Sequence, residues 1–247
     1  MLKIVSAHQP SFLPWLGLLH KLTLSDEFIV MDLAKFRKRE FIHRNIIEIN
    51  KQKNFVGLKI NDDTENMICQ DVFISKHHLN NLEEIKDKIK HTYKKFEYFD
   101  DLEYFIDNSF DLTKKSLVDI CLQQLNFLKK KFNIDTEIKL ESQIINKKDL
   151  LVINNATDRL LKHAIITNAD IYVTGINSLN YLDKKVFEKN KIVNHVQKFD
   201  YNHFLKYQNI NEPLSIIHQI AKIGYKNIIE LLLNTQETKS NILKIYD

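Results

Sequence analysis

The chain has 247 residues and is 44% hydrophobic, enough to bury a substantial core in one or two closely joined domains. Only 4 Gly and 3 Pro argue against a linker-rich or disordered chain, and 36 basic residues set against 32 acidic ones argue against a general nucleic-acid binder. Two distant cysteines, no leader pattern and no apolar run near the roughly 20 residues that span a bilayer predict a cytoplasmic protein with free thiols and no membrane insertion.

The stretch Ile4-Val5-Ser6-Ala7-His8-Gln9-Pro10-Ser11-Phe12-Leu13-Pro14-Trp15-Leu16-Gly17 puts two prolines, the only tryptophan and a glycine behind a short apolar run. Residues 3–7 read as a buried strand. Pro10 pushes Gln9 toward extended geometry, and Pro14 suits the first turn of a helix carried by Leu16, Leu19 and Leu22. His8 and Gln9 therefore stand where a strand ends and a helix begins, the ligand-facing edge of an open α/β sheet. The bland alternative is a rigid loop in which His8 satisfies backbone groups.

Residues 27–32 form a second apolar strand closed by Asp32. Residues 41–50 and 55–60 read as a hairpin on which Asn45 shares a face with Ile47, and Arg44 with Ile46. Residues 71–75 read as a short strand. A helical subregion at about 79–132 holds three helices, at 79–93, 98–108 and 112–132. Residues 138–142 read as a strand, and a helix capped by Asn155 runs from 156 to about 167. A β-branched strand at 170–174 ends at Gly175, followed by a helix through Tyr181 and Phe187, a strand at 192–196, and a helical segment at 213–234 bent at Gly224. The alternation predicts an α/β fold: a layered sheet with flanking helices and a helical middle segment, possible kin to nucleotide-binding α/β folds.

The His8-Gln9-Pro10 and Leu13-Pro14-Trp15-Leu16-Gly17 motifs, the acidic strand end at Asp32, and the Lys38-Arg39…Arg44-Asn45 element together resemble the WbqC-like family. Later landmarks agree in order: Thr157-x-Arg159-Leu160, then Tyr172-x-x-Gly175-x-x-Ser178-x-x-Tyr181, Phe187, and Leu214-Ser215-Ile216-Ile217. Leu33, Lys35, His43 and His218 depart from the family's usual residues, which leaves His8, Gln9, Asp32, Lys38, Arg39, Arg44 and Asn45 as the better candidates. The resemblance covers most of the chain as a single domain, 1–247. It implies a role in bacterial surface polysaccharide (O-antigen) biosynthesis, without a secure reaction. A sensible chemistry is N-acyl or aminoacyl transfer to the amino group of a nucleotide-linked amino sugar, from an acyl-carrier protein or other acyl donor. A non-catalytic binding or scaffold protein, or an ATP-dependent adenylate-forming enzyme, are the alternatives. The opening strand-to-helix step is similar to nucleotidyl-transferring α/β proteins in topology only, because their His-x-Gly-His turn is absent.

Site roles follow from residue chemistry. His8 with Asp32 suits general-base work, and Gln9 or Asn45 could serve a developing oxyanion. Lys38, Arg39 and Arg44 suit an anion, since three of the 4 arginines fall within residues 37–44 of a lysine-dominated chain. The competing readings are a turn-capping Asp32 and a solvated, charge-protected edge. Tyr172, Ser178 and Tyr181 mark a second edge, where Tyr181 either stacks on a sugar or base or packs in the core. His77-His78 reads as solvated rather than metal-binding, and no metal or cofactor is expected.

Overall fold

A computed structural model describes residues 2–150, 153, 155–235 and 237–246. Five parallel strands form the sheet: β1 (Ile4–His8), β2 (Glu27–Val30), β5 (Glu137–Leu140), β6 (Ile171–Thr174) and β7 (Val193–Val196), in the order β5-β2-β1-β6-β7. The intervening β3 (Arg44–Ile49) and β4 (Gln52–Gly57) make a separate antiparallel hairpin. The chain winds outward from β1 to β2 and β5, then returns to lay β6 on the other side of β1. Winding thus reverses between β1 and β6, and the crevice at their carboxyl ends is where open α/β sheets bind ligands.

Alternating residues feed two layers. Phe28 and Val30 pack into the larger core, whereas Val5, Ile29 and Tyr172 pack into the opposite one, as the two-residue strand period requires. The larger core joins α1 (Leu16–Thr23) to the helical middle segment α2 (Asn81–Tyr93), α3 (Phe99–Ser109) and α4 (Leu117–Lys131). Short α5 (Glu141–Ile144) and α6 (Lys147–Leu150) follow β5, and α7 (Ala156–Ile166) and α8 (Lys184–Lys189) cover the second face. After α9 (Asn202–Leu205), α10 (Ile216–Leu233) packs on α3, and α11 (Lys239–Tyr246) brings Ile242 onto Ile4, Ile171 and Val173. Among the described residues no helix is long and apolar enough to cross a membrane.

Several boundaries move for local reasons. The hairpin turns at Asn50-Lys51, both at positive φ, so its second strand begins at Gln52 rather than residue 55. Residues 71–75 are not a ladder strand. Phe73 and Ile74 make only isolated bridges to Ser116 and Ile60, because the neighbouring chain turns into α4 at Leu117 and into a 3-10 turn at Asp62. The α4 helix starts at Leu117, five residues later than its apolar pattern suggests, because the Ser116 side chain caps it at Asp119 N. Tyr181 lies between a 3-10 turn (Ile176–Asn180) and α8, whose start is capped by Asp183. The bend at Gly224 is real: φ is 73°, and a Cβ there would meet the Tyr98 ring at 2.4 Å.

Candidate functional site

A cleft of about 820 Å³ opens at the carboxyl ends of β1 and β6, where the winding reverses. β1 contributes His8 and Gln9, α1 contributes Gly17 and Lys21, and β6 with its following turn contributes Thr174, Gly175, Ser178 and Tyr181. The turn between β1 and α1 is held from outside. Leu13, at a left-handed φ of 48°, donates N–H to Gln124, and its carbonyl accepts from Asn45 Nδ2 at 2.7 Å and Ser215 Oγ at 2.9 Å. Gly17 is required beneath the Trp15 indole, since a Cβ would fall 2.0 Å from the ring. Trp15 packs edge-on against Phe199, and both line the cleft.

His8 donates Nδ1–H to the Gln9 carbonyl at 2.8 Å, which leaves Nε2 as the lone-pair nitrogen. Burial, reinforced by the Lys21 cation and opposed by the Gln9 bond, lowers its pKa to about 4. The imidazole is therefore neutral at physiological pH. Lys21 is 6% exposed, and among the described residues no carboxylate forms an ion pair with it. Burial alone lowers its pKa to about 8, so it remains mostly cationic at neutral pH.

One wall is braced by a buried network. Glu141, fully buried, accepts from Arg159 Nε at 2.7 Å and again from its Nη2, and also from His163 Nε2 at 2.7 Å. The Tyr172 hydroxyl donates to His163 Nδ1 at 3.0 Å. Burial works against the Glu141 carboxylate, but His163 and Arg159 outweigh it and hold the carboxyl below its ordinary value. Burial and the Glu141 charge push the Tyr172 phenol well up, so Tyr172 stays protonated. Arg159 lines the cleft with its charge already matched.

The expected site residues divide. His8, Gln9, Tyr172, Ser178 and Tyr181 line the cleft; Tyr181 stands exposed at the rim, while the Ser178 hydroxyl is turned onto Thr174 Oγ1 at 2.8 Å. Asp32, Asn45, Lys38, Arg39 and Arg44 are not among its lining residues. The Asp32 carboxylate accepts from Ser142 N at 2.9 Å and Ser142 Oγ at 2.6 Å, joining the end of β2 to α5, so the Gln9 carbonyl rather than Asp32 sets the His8 tautomer. Asn45 is spent on the Leu13 turn and on Ile46 N. Lys38 pairs with Asp62, and Arg44 reaches the Arg39 carbonyl and lies over the Phe55 ring at 4.6 Å. From the same segment Glu40 does reach the cleft, with its Oε2 buried and without a hydrogen-bond partner.

Lys21, Glu40, Glu141 and Arg159 have site positions that sequence reasoning did not assign. A signal existed for Lys21, a cation within the otherwise leucine-rich turn Leu16–Thr23. Cys69, raised to about 12 chiefly by burial, and Cys121, raised well above its ordinary value by burial, are protonated core thiols. Among the described residues no three His, Cys, Asp or Glu side chains gather as a metal-binding group.

The WbqC-like protein family matches residues 9–230. An uncharacterized protein of Mycobacterium tuberculosis (strain ATCC 25618 / H37Rv) is 23% identical over 243 residues, covering 90% of this chain and 95% of that protein. No solved structure gives a significant match.

Proposed function

The chain belongs to the WbqC-like protein family, and from that premise we propose that it is a cytoplasmic enzyme of bacterial surface polysaccharide (O-antigen) biosynthesis, transferring an N-acyl or aminoacyl group to the amino group of a nucleotide-linked amino sugar. The observation that carries this reading is the switch-point cleft holding a neutral His8 beside a nearly buried Lys21 that has no ion-pair partner among the described residues. The lysine suits a pyrophosphate. The bound ammonium first gives one proton to solvent; the neutral amine nitrogen then attacks the acyl carbonyl, a C–N bond forms, and the C–S bond of a carrier thioester breaks. The amine proton passes through His8 Nε2 to the departing thiolate. A base with pKa about 4 does not deprotonate a free ammonium; it suits relaying a proton from the far more acidic nitrogen of the tetrahedral adduct. Gln9, which lines the same cleft, would donate to the developing oxyanion. The basic segment with Lys38, Arg39 and Arg44 adjoins the cleft through Glu40, and suits the acidic surface of an acyl-carrier protein.

The parallel sheet order, with the nucleotide-binding type of switch point, favours adenylate formation as a second reading. Thermal-shift screening against nucleotide sugars, ATP with magnesium, and acyl donors separates them, because a ligand of the folded state raises the melting temperature. On the acyl-transfer reading, a nucleotide-linked amino sugar stabilises the protein, and His8→Asn retains binding but lowers turnover roughly a hundredfold. ATP-dependent pyrophosphate release would favour adenylation. Binding without turnover, unchanged in His8→Asn, would make the protein a scaffold.

A further inference from the structure

Two opposite charges in the cleft lack protein partners. Lys21 and Glu40 both line it, and among the described residues neither takes part in an ion pair. Arg159, by contrast, is neutralised by Glu141. The two arrive on opposite sides of β1. Lys21 rises from α1 beside the end of β6, with its Nζ 3.6 Å from where a Gly175 side chain would begin. Glu40 enters on the connection after β2, the strand on β1's other flank. His8, the last residue of β1, lies between those flanks.

A buried carboxylate oxygen without a donor is costly, as is a nearly buried ammonium without an acceptor. Among the described residues no ion pair joins them across the cleft that both line. A ligand that is cationic at one end and anionic at the other would relieve both in one binding event. We propose that the cleft is built for such a ligand, with Glu40 receiving its ammonium, Lys21 receiving its phosphate, and His8 between the two. In identifying the ligand as a nucleotide-linked amino sugar this rests on the function proposed above. It adds that Glu40 makes the site prefer a free amine, and that Lys21 fixes the ligand's direction.

The test is calorimetric binding of two matched pairs: UDP-glucosamine with UDP-glucose, and 2-aminoethyl diphosphate with ethyl diphosphate. The wild-type protein should prefer the amine-bearing member of each pair by about tenfold or more, the scale of one charge-assisted hydrogen bond. Glu40→Gln, nearly isosteric, should abolish that preference while leaving the amine-free members within about twofold. Glu40→Asp should retain part of the preference. Lys21→Met should weaken both members of each pair alike, with thermal melts confirming that every variant is folded. Equal affinity within the pairs, or a preference that survives Glu40→Gln, overturns the inference but leaves the proposed reaction standing. An amine preference confined to the small diphosphates supports the inference and removes the sugar-nucleotide reading. Failure of the wild-type protein to bind any of the four overturns both.

Discussion

At the residue scale, Lys21 gives the cleft a pH dependence whose sign is fixed by its burial. Its folded value, about 8, lies below its ordinary 10.5, so the unfolded chain binds more protons across that window. Folding stability from this group therefore rises with pH between the two values. Anion binding runs the other way, because it requires the charged amine. The advantage in affinity for inorganic pyrophosphate that the wild-type protein holds over Lys21→Met should shrink as pH rises through about 8. Lys21→Met should bind weakly, keeping only the pH dependence that the ionisation of pyrophosphate itself imposes. An advantage that does not shrink would assign the titration to another group. His8 acts in a lower window. Its folded value of about 4 lies below the ordinary 6.5, so its contribution to stability is complete above 6.5 and is lost as pH falls toward 4.

At the element scale, α5 and α7 are fastened by Glu141, an electrostatic tie beside the apolar packing of Ile144 on the cluster that holds Leu160 and Ala164. Glu141 starts α5, whereas Arg159 and His163 stand one turn apart on α7, so a single carboxylate ties the end of β5 to the helix behind β6. Removing it would leave Arg159 and the fully buried His163 without an acceptor. Glu141→Ala should cost about 3–5 kcal/mol in urea unfolding, as breaking one partner of a buried pair does. The carboxyl is held below its ordinary value in the folded protein, so its stabilisation is present above the ordinary carboxylate range and disappears as pH falls through the lowered folded value. Glu141→Gln should flatten that acid limb. A loss below about 1 kcal/mol for Glu141→Ala would mean that Arg159 finds water instead.

At the scale of the whole molecule, the C-terminal segment reaches back to shape the cleft. Glu237 accepts from His195 Nε2 at 2.8 Å and from Lys198 N at 2.8 Å, while its carbonyl accepts from His20 Nε2 at 2.9 Å. The same His20 accepts from Gln197, which also donates to the Gly17 carbonyl. Gln197, Lys198 and Phe199 form the cleft wall beyond β7, so Glu237 binds that wall to α1 without lining the cleft itself. Glu237→Ala should lower stability by about 2–4 kcal/mol, from the unsatisfied groups it leaves behind. It should also weaken ligand binding, which a surface substitution would not do. Stability lost with affinity intact would confine the segment to a structural role.

Local chemistry made much of this legible in the sequence. Rare residues clustered at the strand-to-helix step placed His8 and Gln9, and apolar periodicity placed β1, β6, β7, α2, α3 and α7 within a residue or two, because propensity, caps and side-chain period act over a few positions. The α/β class followed from the alternation. Partnerships across the chain were not legible. Asp32 looked like a partner for His8 because both close neighbouring strands, yet Ser142, 110 residues away, takes both of its oxygens. Asn45 looked chemical, and it is the clamp on Leu13. Glu40 is unremarkable among the many charges of the sequence, and Lys21 stands out only as a cation in a leucine-rich helix. Their significance lies in lining the cleft with no ion-pair partner among the described residues, and that depends on how the sheet winds, since the reversal between β1 and β6 opens the cleft.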